Sequence, residues 1–327
     1  MQITGDNRDD YCASVGAMDY CVRVCNFPTK MFCEVACKGN PDGWKKEPIE
    51  DVRKRLRKPL TETEKNDKRL VSVLIPIWDR DKQYADRTIQ SIEQTAVGPI
   101  EILTECDDRD EGHRVLTNRM ARKANGEFLF RLDCHCKLEP EWDVRLKSSC
   151  QSNTLITPII DGLDEETWMG RHKDMGLICL SRSMENTFPL VWKGLDQRKL
   201  LEETVSVIGC AYMVRKDDFL AKGGCDESLG KWGFSGPEIS LRFHLTNGSV
   251  YVRTDTVICH LFRGKQNPFG ISGKQYWETG KKLYEKVVDG REYGLTRPLE
   301  WLMDHFSEHF KAGIRTDVKN FRSIPNA

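Results

Sequence analysis

The stretch GEFLFRLDCHCK (Gly126–Lys137) opens on a glycine, runs through five residues that are mostly large and apolar, and stops on Asp133-Cys134-His135-Cys136. Phe128 to Leu132 suit a strand buried on both faces. Upstream, LVSVLIPIW (Leu70–Trp78) is a second such run, and PIEILTEC (Pro99–Cys106) a third. Between them, YADRTIQSIEQTA (Tyr84–Ala96) carries Tyr84, Ile89 and Ile92 at helical spacing, and RVLTNRMARKAN (Arg114–Asn125) reads as a second helix. Strands alternating with helices over residues 70–135 predict an α/β fold: a mixed, mainly parallel sheet flanked by helices. Ligands of such sheets bind beyond the carboxyl ends of the strands, where Asp133 and His135 fall.

Further along, TVSVIGCAYMVRKDDFLAKGG (Thr204–Gly224) reads as a strand, a glycine and a strand-to-helix passage. ISLRFHLTNG (Ile239–Gly248) reads as a helix, SVYVRTDTVICHLFR (Ser249–Arg263) as one or two strands, and residues 275–310 as mostly helical. The expected organisation is a Cys-rich helical module over residues 1–43, a basic connector over 44–69, the α/β domain over 70–290 and a helical extension over 291–327. No internal repeat or low-complexity tract is visible.

The 327 residues suffice for one large core or two modest ones, and 39% hydrophobic with 31% charged residues is ordinary for a globular protein. Fifty basic residues balance fifty acidic ones, so no global field draws the chain to nucleic acid or an anionic membrane. No apolar run approaches the roughly 18 residues of a membrane span, and the start, MQITGDNRDD, is polar and acidic rather than a signal peptide. With 13 cysteines, an odd number, the chain is expected to hold mostly reduced thiols in a cytoplasmic setting.

Asp133 and His135, alternate residues of an extended chain, would point the same way, with Cys134 and Cys136 turned into the core. A carboxylate oxygen and an imidazole nitrogen suit Mn²⁺ or Mg²⁺, with substrate phosphate completing the shell. A chance Asp-x-His in a loop is the bland alternative. His260, ending another apolar run, offers a third ligand, and Arg263 a bidentate phosphate partner.

GEFLFRLDCHCKLEPEW, KWGFSGPEISLRF and ICHLFRGKQNPF, in this order over roughly residues 70–290, resemble the catalytic domain of the polypeptide N-acetylgalactosaminyltransferases, within the wider GT-A glycosyltransferases. The resemblance implies a Rossmann-like domain binding a UDP-sugar, Mn²⁺ held by Asp133, His135 and His260, and retention of configuration at the sugar. It implies donor contacts from Glu105, Arg119, Gly209, Arg263 and Gln266, and catalytic roles for Asp133, Trp232 and Glu238. KQNPF (265–269) matches the start of a closing loop, with Gly264, Gly270 and Gly273 permitting movement. Where the family has Trp-Gly-Gly-Glu-Asn-x-Glu, this chain has Trp232-Gly233-Phe234-Ser235-Gly236-Pro237-Glu238. The acid and asparagine that help read the donor sugar are missing, so N-acetylgalactosamine is not carried over. Inverting relatives keep an acidic base in this stretch, and its loss favours retention with the departing phosphate assisting the acceptor. Gly209-Cys210 replaces a glycine pair, a second sign of an altered sugar pocket.

Cys21-x3-Cys25 and Cys33-x3-Cys37 place two thiols on one face of each of two short helices. Four thiolates would suit structural Zn²⁺; two disulfides or buried free cysteines remain alternatives. Arg53, Lys54, Arg55, Arg57 and Lys58 would contact phosphates or form a solvated helix face. His305-x3-His309 has metal spacing, but the neighbouring Phe306 and Phe310 favour an amphipathic helix. The acceptor implied by the resemblance is a protein serine or threonine. A hydroxymethylated base in DNA is the second reading, in which the chain would be phage-encoded and act in a host cytoplasm. A catalytically inactive, zinc-stabilised binding module is the third.

Overall fold

The computed structural model describes residues 57–171, 177–180, 190–193, 199–262 and 273–307. The N-terminal cysteine module, its Cys21, Cys25, Cys33 and Cys37, most of the basic stretch, Arg263, Gln266 and His309 lie outside them.

Ten strands are described: β1 (Val71–Ile77), β2 (Ile100–Cys106), β3 (Phe128–Leu132), β4 (Cys136–Leu138), β5 (Thr154–Gly162), β6 (Leu177–Leu180), β7 (Leu190–Lys193), β8 (Leu201–Glu203), β9 (Ala211–Arg215) and β10 (Ser249–His260). The helices are α1 (Glu62–Lys65), α2 (Lys82–Thr95), α3 (His113–Lys123), α4 (Trp142–Ser149), α5 (Lys216–Ala221), α6 (Ser235–Leu245), α7 (Gly273–Asp289) and α8 (Leu299–His305). The main sheet runs β2-β1-β3-β9-β5-β10-β4, with β8 also on β10; β6 and β7 form a separate pair. Strands β1, β2 and β3 are mutually parallel, as are β5 and β10, and β9 joins the two sets antiparallel to both. The carboxyl ends of β2, β1, β3, β5 and β10 therefore share one edge of the sheet.

Every residue of β1 is buried, because both faces are covered. Val71, Val73, Ile75 and Ile77 join one core cluster with Phe128, Phe130, Trp142 and Ile92, while Leu74 joins a second with Leu116, Met120, Phe219 and Phe243. The two-residue alternation of the strands thus sorts side chains between a layer made by α2 and α4 and a layer made by α3, α5 and α6. Phe130 and Trp142 stack at 4.8 Å between ring centres in the first layer.

Outside the candidate site, the structure departs from the sequence reading at three places. The strand expected from Thr204 begins only at Ala211, because Gly209-Cys210 form a turn. The connector does not end at residue 69 as a solvated segment: Leu60 is buried, Arg57 reaches Glu139 at 3.2 Å, and the buried Lys147 amine donates to the carbonyls of Asp67 and Arg69 at 3.0 Å each. Residues past 290 are likewise integral, since Leu299, Leu302 and Phe306 pack with Leu241, Leu245 and Leu283. A sequence window shows the charge of Arg57 or Lys147 but not the distant acceptor that lets it be covered.

Candidate active site

Asp133 and His135 do not sit on an extended strand. They occupy a bend between Leu132, the last residue of β3, and Cys136, the first of β4. Three restraints shape it. The Asp133 amide donates to the Cys210 carbonyl at 2.9 Å, the Leu261 amide to the His135 carbonyl at 3.1 Å, and the Thr88 hydroxyl of α2 lies 2.8 Å from the Cys134 carbonyl. Cys134 and Cys136 are buried in the core, but Cys134 does not turn away from the ligand pair as expected: its Sγ lies 3.8 Å from Nδ1 of His135. The β4–β10 ladder, which pairs Cys136 with His260, then carries His260 alongside His135.

The result is a convergent set. The Asp133 Oδ2 to His260 Nε2 distance is 3.1 Å, the two histidine Nε2 atoms are 3.0 Å apart, and His135 Nε2 is 3.9 Å from Asp133 Oδ2. Bonds of about 2.1 Å meeting at right angles separate ligand atoms by about 3 Å, so one oxygen and two nitrogens at these spacings fit a single divalent cation. Burial pushes both imidazoles below their ordinary value, with Asp133 opposing, and keeps them neutral with a lone pair to offer. Burial alone would raise Asp133. The Arg131 guanidinium, 2.6 Å from Oδ1, and the His260 hydrogen bond outweigh it and hold the carboxyl far below the usual carboxylate range.

Two groups that the sequence reading passed over orient this set. Arg131 holds Oδ1 of Asp133 while donating to the Gly209 carbonyl, leaving Oδ2 to the histidines. Asp81, 3% exposed at the carboxyl end of β1, places Oδ2 3.3 Å from Nδ1 of His135. A carboxylate there favours the proton on Nδ1 and the lone pair on Nε2. Arg131 was findable, since it alternates with Asp133; Asp81 looks in sequence like an acid opening the helix that follows. Replacing Asp81 with alanine is expected to weaken Mn²⁺ binding about 10- to 100-fold while the fold persists, measured by metal titration. Unchanged affinity would remove Asp81 from the site.

Glu105, at the end of β2, pairs with Arg119, which also reaches Glu111 at 2.8 Å. These two expected donor contacts are therefore neighbours near the same sheet edge. Gly209 packs so tightly against α6 that a Cβ there would land on Ser235 Oγ. Trp232 lies on the turn before α6, 5.5 Å from the Tyr276 ring of α7. Glu238 is the expected catalytic residue whose placement differs most from the reading. It is fully buried, with Arg114 Nε at 3.2 Å and Arg242 Nη1 at 3.0 Å, and lies outside the convergent set. An acid so enclosed is a counter-ion, not a group facing a substrate.

Burial lowers His113 and His244 as well, the latter to about 4. In all four histidines the unfolded chain binds a proton that the folded one refuses, so stability rises with pH across the window between the folded value and 6.5. Metal-free protein is expected to hold a steady Tm from about pH 8 to about pH 6.5 and to lose it progressively toward about pH 5. A Tm flat throughout would contradict neutral burial.

No family model matches the chain. It is 26% identical over 184 residues to the Probable N-acetylgalactosaminyltransferase 9 of Caenorhabditis elegans, covering 52% of this chain and 31% of that one. It is 23% identical over 235 residues to Polypeptide N-acetylgalactosaminyltransferase 13 of Rattus norvegicus, covering 67% and 41%. The chain thus spans well under half the length of these relatives. The crystal structure of GalNAc-T7 with UDP, GalNAc and Mn²⁺ superposes with a TM-score of 0.59 at 15% identity, over 74% of this chain and 58% of that one. The fold is that of the GT-A glycosyltransferases. Within that class the chain resembles the catalytic domain of the polypeptide N-acetylgalactosaminyltransferases.

Proposed function

We propose that this chain is a metal-dependent glycosyltransferase that moves a sugar from a UDP-sugar to an acceptor hydroxyl. The convergence of Asp133, His135 and His260 at the carboxyl edge of a GT-A sheet is the observation that carries this reading. These residues would hold Mn²⁺ or Mg²⁺, which when bound supplies Lewis-acid stabilisation of the leaving diphosphate. Arg131 keeps Asp133 ionised, Asp81 keeps the His135 lone pair on Nε2, and Arg263 is the proposed diphosphate contact.

The same geometry supports retention. Glu238 is the acid left in the stretch where inverting enzymes keep their base, and two arginines enclose it. With no free base there, the departing phosphate is the group that assists the incoming hydroxyl. The acceptor class is a polypeptide, on the strength of the relatives' names, and the resemblance implies its serine or threonine hydroxyls; no observation favours a DNA base or an inactive module. Cys106, Cys134, Cys136, Cys150, Cys210, Cys225 and Cys259 carry free thiols. Among the described residues no helix is long and apolar enough to cross a membrane. The test is release of UDP from a panel of UDP-sugars with Mn²⁺ and serine- or threonine-containing peptides, with product anomers read by NMR. Release with an inverted anomer would reject retention, and no release from any donor would reject the transferase.

A further inference from the structure

The Gly230-Lys231-Trp232-Gly233 turn is held from inside by one side chain. Arg114, on the first turn of α3 and fully buried, donates through Nη1 to the Gly230 carbonyl at 2.8 Å and through Nη2 to the Gly233 carbonyl, while Nε lies 3.2 Å from Glu238. Glu238 completes its own set with the Asp226 amide at 2.9 Å and Arg242 at 3.0 Å. Both glycines have left-handed φ, +86° and +94°, which lets the turn close tightly around the guanidinium. Trp232 sits between the two clamped carbonyls and packs on Tyr276, as does Phe234 at 4.5 Å.

The turn is also mechanically tied to the ligand set. Ser235 and Gly236, which open α6, press on Gly209, whose carbonyl takes the Arg131 hydrogen bond, and Arg131 holds Asp133. A planar guanidinium presents its donors in a fixed fork that an ammonium cannot reproduce, so two carbonyls and a carboxylate read by one arginine define a single turn geometry. A second tether of the turn, Lys231 to Asp110, is exposed and weak by comparison.

We propose that Arg114 and Glu238 are a positioning pair that sets Trp232 over the donor site, and that Glu238 acts through Arg114 and not on the substrate. This rests on the transferase reading above. The experiment uses the full chain with Mn²⁺ and the UDP-sugar found to support UDP release. Arg114→Lys is expected to leave the Kd for UDP as in the wild type and to lower kcat about 100-fold, the effect of a misplaced group near the chemistry. Trp232→Ala is expected to lower kcat to a similar degree, and Arg114→Lys with Trp232→Ala to be no slower than Trp232→Ala alone, because one acts through the other. Lys231→Ala is expected to match the wild type. Should Arg114→Lys fail to fold, Glu238→Gln keeps size and one acceptor and is expected to show the same split between kcat and Kd. Wild-type turnover in these variants, or losses that multiply in the double variant, overturns the clamp while the transferase stands. A wild-type protein that neither binds UDP with Mn²⁺ nor releases it overturns both.

Discussion

His135→Ala is expected to abolish Mn²⁺-dependent UDP binding, with metal affinity falling 100-fold or more. Loss of an outer-shell partner alone costs about 10- to 100-fold, and His135 is one of three direct ligands in the proposed site. The remaining pair, Asp133 and His260, keeps a 3.1 Å contact and would bind a cation through two atoms only. The fold should survive. His135 lies in a bend fixed by backbone hydrogen bonds to Cys210 and Leu261 and by Thr88, none of which needs the imidazole. Metal titration and a melting curve on the same sample separate the two effects. Wild-type affinity in a folded variant would show that the convergence of these side chains is not a metal site.

The largest expected loss of stability lies elsewhere, at Asp255. Its carboxylate is 2.7 Å from Arg145 of α4 and 2.6 and 3.0 Å from Arg253 of β10, with all three side chains nearly covered. Removing one partner of a buried ion cluster leaves uncompensated charge and costs about 3 to 5 kcal/mol. Asp255→Ala should fall at the lower end, since Arg145 keeps Glu141 at 2.6 Å and Arg253 keeps Ser149. For a chain of this size about 3 kcal/mol corresponds to a Tm lowered by roughly 5 °C. The connector should loosen too, because Arg145 also holds the Lys58 carbonyl and Arg253 faces Glu64 at 3.7 Å. A Tm shift near zero would mean that the cluster is hydrated and not buried.

How far the molecule was legible in its sequence depended on distance along the chain. The alternation of β1, α2, β2, α3 and β3 is a local property, written in periods of 2 and 3.6, and the structure reproduces it. His260 lies more than a hundred residues from Asp133, and only the resemblance linked them; the physical link is a three-pair antiparallel ladder with β4. Asp81, Arg114 and Arg131 were passed over for a different reason. A charged residue in sequence looks solvated, and its burial depends on a partner supplied by another element. Glu238 shows the converse, because an acid inside a motif reads the same whether it faces a sugar or two arginines.

Asp133, His135 and His260 are proposed to form the metal-dependent donor site of a glycosyltransferase. Calorimetric titration of wild-type protein with UDP, with Mn²⁺ and again with a chelator, tests it most directly. Saturable binding that requires the metal and disappears with the chelator is the expected result. UDP binding of equal strength without metal, or none under either condition, would contradict it.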